Sequence, residues 1–222
     1  MDRKPEPELM ESHEQVKAYA EADFSEPHND FVTQICDHIG IDFSGKALDL
    51  GCGPGDISFR FANKFPNCRI DALDGSRTML EYGENSIPNA LIKQINFVHA
   101  KLPLAKTIDF YDAIFSNSLL HHLPEPQVLW QTVKQCAGKG AYVIVMDLLR
   151  PPNEKTAQKM VEKYAADEPE ILKHDFYHSL LASFTLDEIH LQLTTAELNF
   201  EVQQVSDRHV LIKGRMLEKQ HE

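Results

Sequence analysis

Leu48-Asp49-Leu50-Gly51-Cys52-Gly53-Pro54-Gly55-Asp56 decides the fold. An apolar run, 47–50, leads into this stretch, and Ile57, Phe61 and Phe65 leave it at a helical spacing. A buried strand, a tight turn and a helix are therefore expected in that order. Glycines at 51, 53 and 55 let the backbone turn sharply and come close to a ligand. The helix beginning just beyond should turn free amides toward a crevice. In an open α/β sheet that crevice lies at the carboxyl ends of the strands. The spacing is G-x-G-x-G, whereas a dinucleotide turn has its third glycine one residue later. Asp49, two positions before the first glycine, would repel a pyrophosphate but suits a ligand bearing a cationic amine.

Outward from this loop, short apolar runs alternate with helical periods. Strand-like runs are 47–50, 69–74, 95–100, 112–116 and 141–148, with helix candidates at 56–65, 76–86 and 124–137 between them. Nearly continuous apolar strands alternating with helices imply a parallel sheet covered on both faces, with right-handed crossovers. Two last runs, 200–205 and 209–213, are joined by Ser206-Asp207-Arg208 and read as a hairpin. The expected fold is thus α/β: a Rossmann-like, mostly parallel seven-stranded sheet with helices on both faces and a C-terminal antiparallel strand pair.

Before this core, a helix carries Val16, Tyr19 and Ala20 on one face, and 23–27 breaks it. A second helix carries Phe31, Ile35 and Ile39 and ends at Gly40, a C-cap glycine. Residues 1–12 are polar and rich in Pro and Glu, and are expected to be mobile. After Arg150-Pro151-Pro152 the alternation stops. Residues 153–166 read as an amphipathic helix, followed by a polar segment expected to be a solvated loop. Thr185-Leu186-Asp187-Glu188 is a capping box opening a helix with Leu186, Ile189 and Leu193 on one side. The division is therefore 1–45 as leader and lid helices and 46–222 as core, with an inserted helical segment at about 150–184.

The chain has 222 residues and a formal net charge of −12, of which −6 lies in residues 1–30. This balance argues against nucleic acid and anionic membranes as partners. Cys36, Cys52, Cys68 and Cys136 contain no C-x-x-C pair, so neither a zinc site nor a disulfide framework is expected, and reduced thiols point to the cytoplasm. No apolar run is long enough for a membrane span, and the charged N-terminus does not read as a secretory signal.

The block Asp49-Leu50-Gly51-Cys52-Gly53-Pro54-Gly55 resembles the signature loop of class I S-adenosylmethionine-dependent methyltransferases. The resemblance runs from about residue 15 to the end and is best over 46–149. It implies an acid ending the second strand that bonds both ribose hydroxyls of S-adenosylmethionine. Asp74 has that place, 25 residues after Asp49 and near the interval of about 20 that one crossover takes. Gly75-Ser76-Arg77-Thr78-Met79-Leu80 resembles the family's next block, which implies Ser76 at the site and Met79 near the adenine. His99-Ala100-Lys101-Leu102-Pro103 keeps the family's Ala and Leu-Pro but has His99 where relatives often have Asp. Backbone groups near Ala100, or His99 itself, are then the adenine contacts implied. Ser116-Asn117-Ser118-Leu119-Leu120-His121-His122-Leu123-Pro124 resembles a block of small-molecule methyltransferases and implies Asn117 beside the methionine part. The implied cofactor set is Tyr19, Asp49, Gly51, Cys52, Gly53, Asp74, Gly75, Ser76, Met79, Ala100 and Asn117.

Methyl transfer from a sulfonium needs alignment and exclusion of water more than a protein nucleophile. A general base is required only for an acceptor protonated at neutral pH. His121, His122 and Asp147 are the candidates; the histidines read rather as helix-start or packing residues, and Asp147 equally as a residue binding loop amides. His174 and His178, with Asp175 and Tyr177 between them, could face substrate; without a third ligand they are not expected to hold a metal. Tyr19 is either a ring set against the sulfonium or a lid residue. The expected activity is methylation of a small molecule; which acceptor and what oligomeric state are not legible. The alternatives are a catalytically silent S-adenosylmethionine-binding partner protein and, less favoured, a nicotinamide-dependent oxidoreductase.

Overall fold

The apolar runs become β1 (Gly45–Leu50), β2 (Cys68–Asp74), β3 (Ile95–His99), β4 (Tyr111–Asn117), β5 (Ala137–Leu148), β6 (Glu201–Gln204) and β7 (His209–Arg215). The structure is a computed structural model that describes residues 1–6 and 10–216. Eight α-helices accompany the strands among the described residues: α1 (His13–Glu21), α2 (Ser25–Ile39), α3 (Asp56–Lys64), α4 (Arg77–Ser86), α5 (Gln127–Cys136), α6 (Glu154–Tyr164), α7 (Glu170–Ala182) and α8 (Leu186–Thr195).

The strands form one sheet in the order β3-β2-β1-β4-β5-β7-β6. The first five pair in parallel, and β7 runs antiparallel to both β5 and β6. Strand order reverses between β1 and β4, and the crevice beyond their carboxyl ends is where open α/β sheets bind ligands.

Side chains alternate across the sheet and divide the core in two. On one face Ala47, Ile70, Phe115, Ile144 and Met146 meet Phe31 and Ile35 of α2 and Phe61 of α3. Phe61 stacks on Phe115 with ring centroids 4.8 Å apart. On the other face Leu48, Leu50, Ile114, Val143 and Val145 meet Trp130 of α5 and Ile189 of α8. Both faces are covered, so the strands stay apolar along their length. A third cluster joins Ala157 and Val161 of α6 to Leu180 and Leu181 of α7, beside Leu148 at the end of β5.

Local signals hold where expected: Gly40 ends α2 and Thr185 with Glu188 forms the capping box of α8. Three expectations are corrected. The strand β5 starts at Ala137 rather than at 141, because Ala137 pairs with Tyr111 before a register shift that the Gly138-Lys139-Gly140 sequence does not announce. The segment holding His174 and His178 is the helix α7, not a solvated loop. Its inward face buries Asp175 and Ser179 together with Leu172, Leu180 and Leu181, so the apolar period that marks a helix is broken. Residues 1–6, expected to be mobile, are laid along the protein. The Lys4 N–H donates to Leu181 O at 3.0 Å, and Arg3 donates to Ala182 O at 2.5 Å and to His121 O and Leu123 O at 2.9 Å. Arg3 also lies over the Phe184 ring, 4.0 Å from its centroid. Of the 1–12 stretch, residues 7–9 lie outside the described residues.

Candidate functional site

The glycine loop is bound down onto β2. The N–H groups of Gly51 and Cys52 both donate to Leu73 O, at 2.8 and 3.0 Å, and the Gly55 N–H donates to Cys52 O at 3.0 Å. Gly51 has φ of +74°, and a Cβ there would stand 2.9 Å from Leu119 Cδ1, so both conformation and space call for glycine. The sheet takes the first two of these amides and the loop itself takes the third. At these positions the turn offers a ligand carboxylate rather than free N–H groups, which is unsuited to a pyrophosphate.

Asp49, next to last in β1, is 1% exposed and accepts the Ser58 hydroxyl at 2.6 Å. Burial pushes its carboxyl up to about 7; the Ser58 bond opposes the shift and the Asp74 carboxylate adds to it. Asp74 ends β2 and accepts the Gly53 N–H at 2.8 Å and the Ser76 N–H at 2.7 Å. Burial also raises its carboxyl, against the pull of these amides. The Asp74 carboxylate thus sits close enough to raise the proton affinity of Asp49, and the two acids make an acceptor set complementary to a cation and to hydroxyl donors. Cys52 turns its side chain into the core, where burial and then the two carboxylates push its thiol up.

Ser76 caps α4, its hydroxyl accepting the Met79 N–H at 3.2 Å and donating to Met10 O at 2.6 Å. Met79 is buried at the first turn of α4. The Ala100 N–H is spent on Asp74 O at 3.0 Å, and His99 Nε2 lies 3.1 Å from Gly75 O. Thr78 donates to Glu11 O at 3.0 Å, so the residues just before α1 rest on α4. Tyr19 follows on α1 with its ring against Phe24 at 5.0 Å. Burial first, then the Asp74 and Asp56 carboxylates, pushes the Tyr19 hydroxyl up to about 12.

Beyond β4 the chain bends at Ser118, whose φ of +57° is left-handed, a conformation costing a non-glycine residue about 1 kcal/mol or more. The turn delivers His121 and His122 on a short 3-10 helix over the end of β5. His121 is 2% exposed, and its Nδ1 lies 2.6 Å from Asp147 Oδ1. Asp147 also accepts the Leu148 N–H at 2.6 Å. Burial pushes the Asp147 carboxyl up, but the adjoining His121 ring and these hydrogen bonds prevail and hold it below the usual carboxylate range. With Nδ1 engaged, Nε2 on the far side of the ring is buried without a partner, as are Asn117 Oδ1 and His122 Nδ1. The His122 ring lies 4.0 Å from that of His121, and its pKa falls to about 3, through burial first and then His121. A histidine so hard to protonate cannot serve as a base near neutrality.

The structure therefore brings Asp49, Asp74, Ser76, Met79 and Tyr19 into one neighbourhood beyond β1 and β2 and sets the buried His121–Asp147 pair at the end of β5. It turns Cys52 inward and engages the amides of Gly51, Gly53 and Ala100. Four residues escaped sequence reasoning. Ser58 opposes Asp49, and its one signal was a polar side chain on the inner face of α3. Gln15 of α1 donates to Asp175 Oδ2 at 2.8 Å, and Glu6 accepts the Ser179 hydroxyl at 3.3 Å. Arg3, Gln15 and Glu6 act across more than a hundred residues of chain, and no local pattern marks them. Among the described residues no three His, Cys, Asp or Glu side chains converge to hold a metal ion, and no helix is long and apolar enough to cross a membrane.

A family model described as a methyltransferase domain matches residues 48–143. The (S)-coclaurine N-methyltransferase of Thalictrum flavum subsp. glaucum is 26% identical over 110 residues, 50% of this chain and 30% of that protein. The trans-aconitate 2-methyltransferase of Yersinia pseudotuberculosis serotype O:1b (strain IP 31758) is 26% identical over 161 residues, 68% of this chain and 60% of that protein. The chain thus spans less than two thirds of the length of these relatives. Among solved structures, a SAM dependent methyltransferase from Aquifex aeolicus superposes with a TM-score of 0.66 at 17% identity, covering 91% of this chain and 98% of that one. The plantazolicin methyltransferase BpumL, in complex with a monoazolic desmethylPZN analog and SAH, gives 0.67 at 15% identity, with 91% and 90% covered. The structural likenesses are of fold; the family model adds sequence likeness across the loop and the strands that carry the site. Residues 48–143 thus carry a methyltransferase domain, within a chain that has the fold of S-adenosylmethionine-dependent methyltransferases.

Proposed function

We propose that the protein transfers a methyl group from S-adenosylmethionine to a small molecule, with His121 taking the acceptor's proton and Asp147 orienting His121. The observation that carries this reading is the buried 2.6 Å contact between His121 Nδ1 and Asp147, with Nε2 of the same ring buried and without a partner. A proton-accepting ring nitrogen backed by a carboxylate on the other nitrogen is the arrangement general-base chemistry needs.

The residues present fit the cofactor. Asp49 and Asp74 are carboxyls raised by burial, and Asn117 Oδ1 is a buried acceptor without a donor. We assign Asp74 to the ribose hydroxyls, Asp49 and the turn at Gly51 and Gly53 to the cationic amino-acid end, and Asn117 to the methionine part. The segment Gly75-Ser76 and Met79 take the adenine side, and Tyr19 covers the crevice. When bound, S-adenosylmethionine supplies a methyl electrophile on a positively charged sulfur. The chain's own part is to align the acceptor, shut out water and receive the proton; alignment alone is worth several kcal/mol, up to about 10, of the barrier. Residues 1–45 act as the lid in this scheme and 46–222 as the core.

A small acceptor is supported by the net charge of −12, which repels nucleic acid, and by relatives whose names specify (S)-coclaurine and trans-aconitate. Those names differ in the acceptor, so they do not select one here. Four free cysteines support a reducing, cytoplasmic setting. The test is incubation of the full chain with methyl-labelled S-adenosylmethionine and the low-molecular-mass fraction of a cell extract, beside His121→Ala. Label passing to a small molecule, and much less of it with His121→Ala, is the expected outcome. Label only on protein or RNA, or none with any fraction, would refute the proposal.

A further inference from the structure

We propose that Arg3 is a positioning residue for His121, holding from a distant part of the chain a turn that cannot hold itself; the inference rests on the methyltransferase reading. His121 lies on the 3-10 helix Leu120–His122, where a carbonyl is normally taken by the N–H three residues on. For His121 that residue is Pro124, and for Leu123 it is Pro126; neither has an N–H to give. The His122 N–H donates to Leu119 O at 3.0 Å and the Leu123 N–H to Leu120 O at 3.2 Å, after which the local bonds lapse until Val128. The carbonyls of His121 and Leu123 are left over, and one guanidinium nitrogen, Arg3 Nη2, donates to both at 2.9 Å. Arg3 Nη1 reaches Pro124 O at 3.3 Å, and Nε donates at 2.5 Å to the carbonyl of Ala182, the last residue of α7.

The seat is shaped for a planar fork. The guanidinium carbon lies 4.0 Å from the centroid of the Phe184 ring, and Phe184 is itself fixed by its bridge to Leu149 and by the Arg150 N–H, which donates to its carbonyl at 3.1 Å. The next residue is anchored too, its Lys4 N–H donating to Leu181 O at 3.0 Å. Among the described residues every hydrogen bond from the Arg3 side chain goes to a main-chain carbonyl, so what Arg3 fixes is backbone. Asp147 holds the rest of His121, accepting its N–H at 3.3 Å and lying 2.6 Å from Nδ1. His121 is thus held by amide and ring from β5 and by its carbonyl from Arg3. Without Arg3 the Asp147 contacts act on a turn whose other end is free, and the ring keeps its pose for less of the time. A displacement of about 1 Å at such a group costs up to about 100-fold in rate. Lysine is a poor replacement, because a single ammonium lacks the fork that meets carbonyls on two elements at once. None of these contacts involves a residue assigned to the cofactor.

The experiment compares the full unsubstituted chain with Arg3→Ala and Arg3→Lys. Label transfer from methyl-labelled S-adenosylmethionine to the low-molecular-mass fraction of a cell extract gives the limiting rate and the KM for the cofactor. Calorimetry gives affinity for S-adenosylhomocysteine. Long-range proton–nitrogen NMR of the histidine rings, assigned with His121→Ala, follows His121 without an acceptor. Arg3→Ala should lower the limiting rate about 10–100-fold, leave both cofactor constants within about twofold, and move the His121 ring signals. Millimolar guanidinium should restore rate and signals, and methylammonium at the same concentration should not; a loss of fold alone would show no such selectivity. Arg3→Lys should lower the rate at least severalfold, and with the ring signals it carries the test if Arg3→Ala does not fold. An unchanged rate, a loss that guanidinium leaves in place, or His121 signals that stay where they were would each overturn the assignment. An unsubstituted chain that ignores S-adenosylhomocysteine or transfers no label would instead strike the methyltransferase reading, and the His121 signals would still decide whether Arg3 holds the turn.

Discussion

Cofactor binding should release a proton from Asp49. In the free protein burial holds this carboxyl near 7, about three units above its ordinary 3.8. A cationic amine beside it favours the carboxylate and pulls that value down. Below pH 7 the protein must give up a proton to bind, so affinity falls as pH falls. The slope approaches one decade per pH unit in acid, and between pH 7 and pH 5 the loss amounts to about 50-fold, or about 2 kcal/mol. Asp74, also raised by burial, acts in the same sense and can only steepen the curve. Calorimetry with S-adenosylhomocysteine between pH 5 and pH 8, in buffers of different ionisation enthalpy, reads both affinity and proton release; the ligand's own amine stays charged throughout. Asp49→Asn should flatten the dependence and weaken binding at pH 8. A raised carboxyl also keeps its proton in the fold, so its stabilising effect is full below pH 3.8 and lost as pH rises through 7. Without ligand, Asp49→Asn should therefore melt higher than the unsubstituted chain at pH 8. Equal affinity at pH 5 and pH 8 with no proton released would refute the reasoning.

Asp147→Asn should leave affinity for S-adenosylhomocysteine unchanged while lowering kcat by about 10²–10⁴, because an amide shifts the His121 proton toward Nε2; steady-state kinetics with any accepted substrate reads this. The same carboxyl, depressed in the fold, contributes stability above pH 3.8 that is lost as pH falls further, so the Asp147→Asn melting curve should approach that of the unsubstituted chain in acid. Gly51→Ala should cost about 1–2 kcal/mol for the positive φ alone, and more for the 2.9 Å approach to Leu119 Cδ1, seen as a lower denaturation midpoint. Arg3→Ala removes the donors that hold the N-terminal segment to Ala182, His121 and Leu123, so limited proteolysis should cut the first six residues faster while the core melts nearly unchanged.

The sheet was legible because parallel strands buried on both faces leave uninterrupted apolar runs, and the glycine turn was legible because its spacing and Asp49 are local. The place of Asp74 at the end of β2 was legible for the same reason: one crossover fixes how far it follows Asp49. The N-terminal segment and α7 were not. The helix α7 hides its period by burying Asp175 and Ser179, residue types that normally mark a solvated face. The N-terminal segment is held by Arg3, whose partners lie 118 to 179 positions away, and long-range backbone acceptors leave no trace in composition. The His121–Asp147 pair was readable only as two separate candidates, since 26 residues and a whole helix separate them before β5 brings them together.

Titrating S-adenosylhomocysteine into the unsubstituted chain and into Asp74→Ala at pH 8 tests the crevice most directly. We expect saturable one-to-one binding that weakens about 10²–10⁴-fold in the variant, the loss of two hydrogen bonds from a charged acceptor at about 1.5–3 kcal/mol each. Some loss of thermal stability should accompany it, because Gly53 and Ser76 lose their acceptor too. An unsubstituted chain that ignores S-adenosylhomocysteine or prefers NADH, or an Asp74→Ala variant that binds it equally well, would contradict the account.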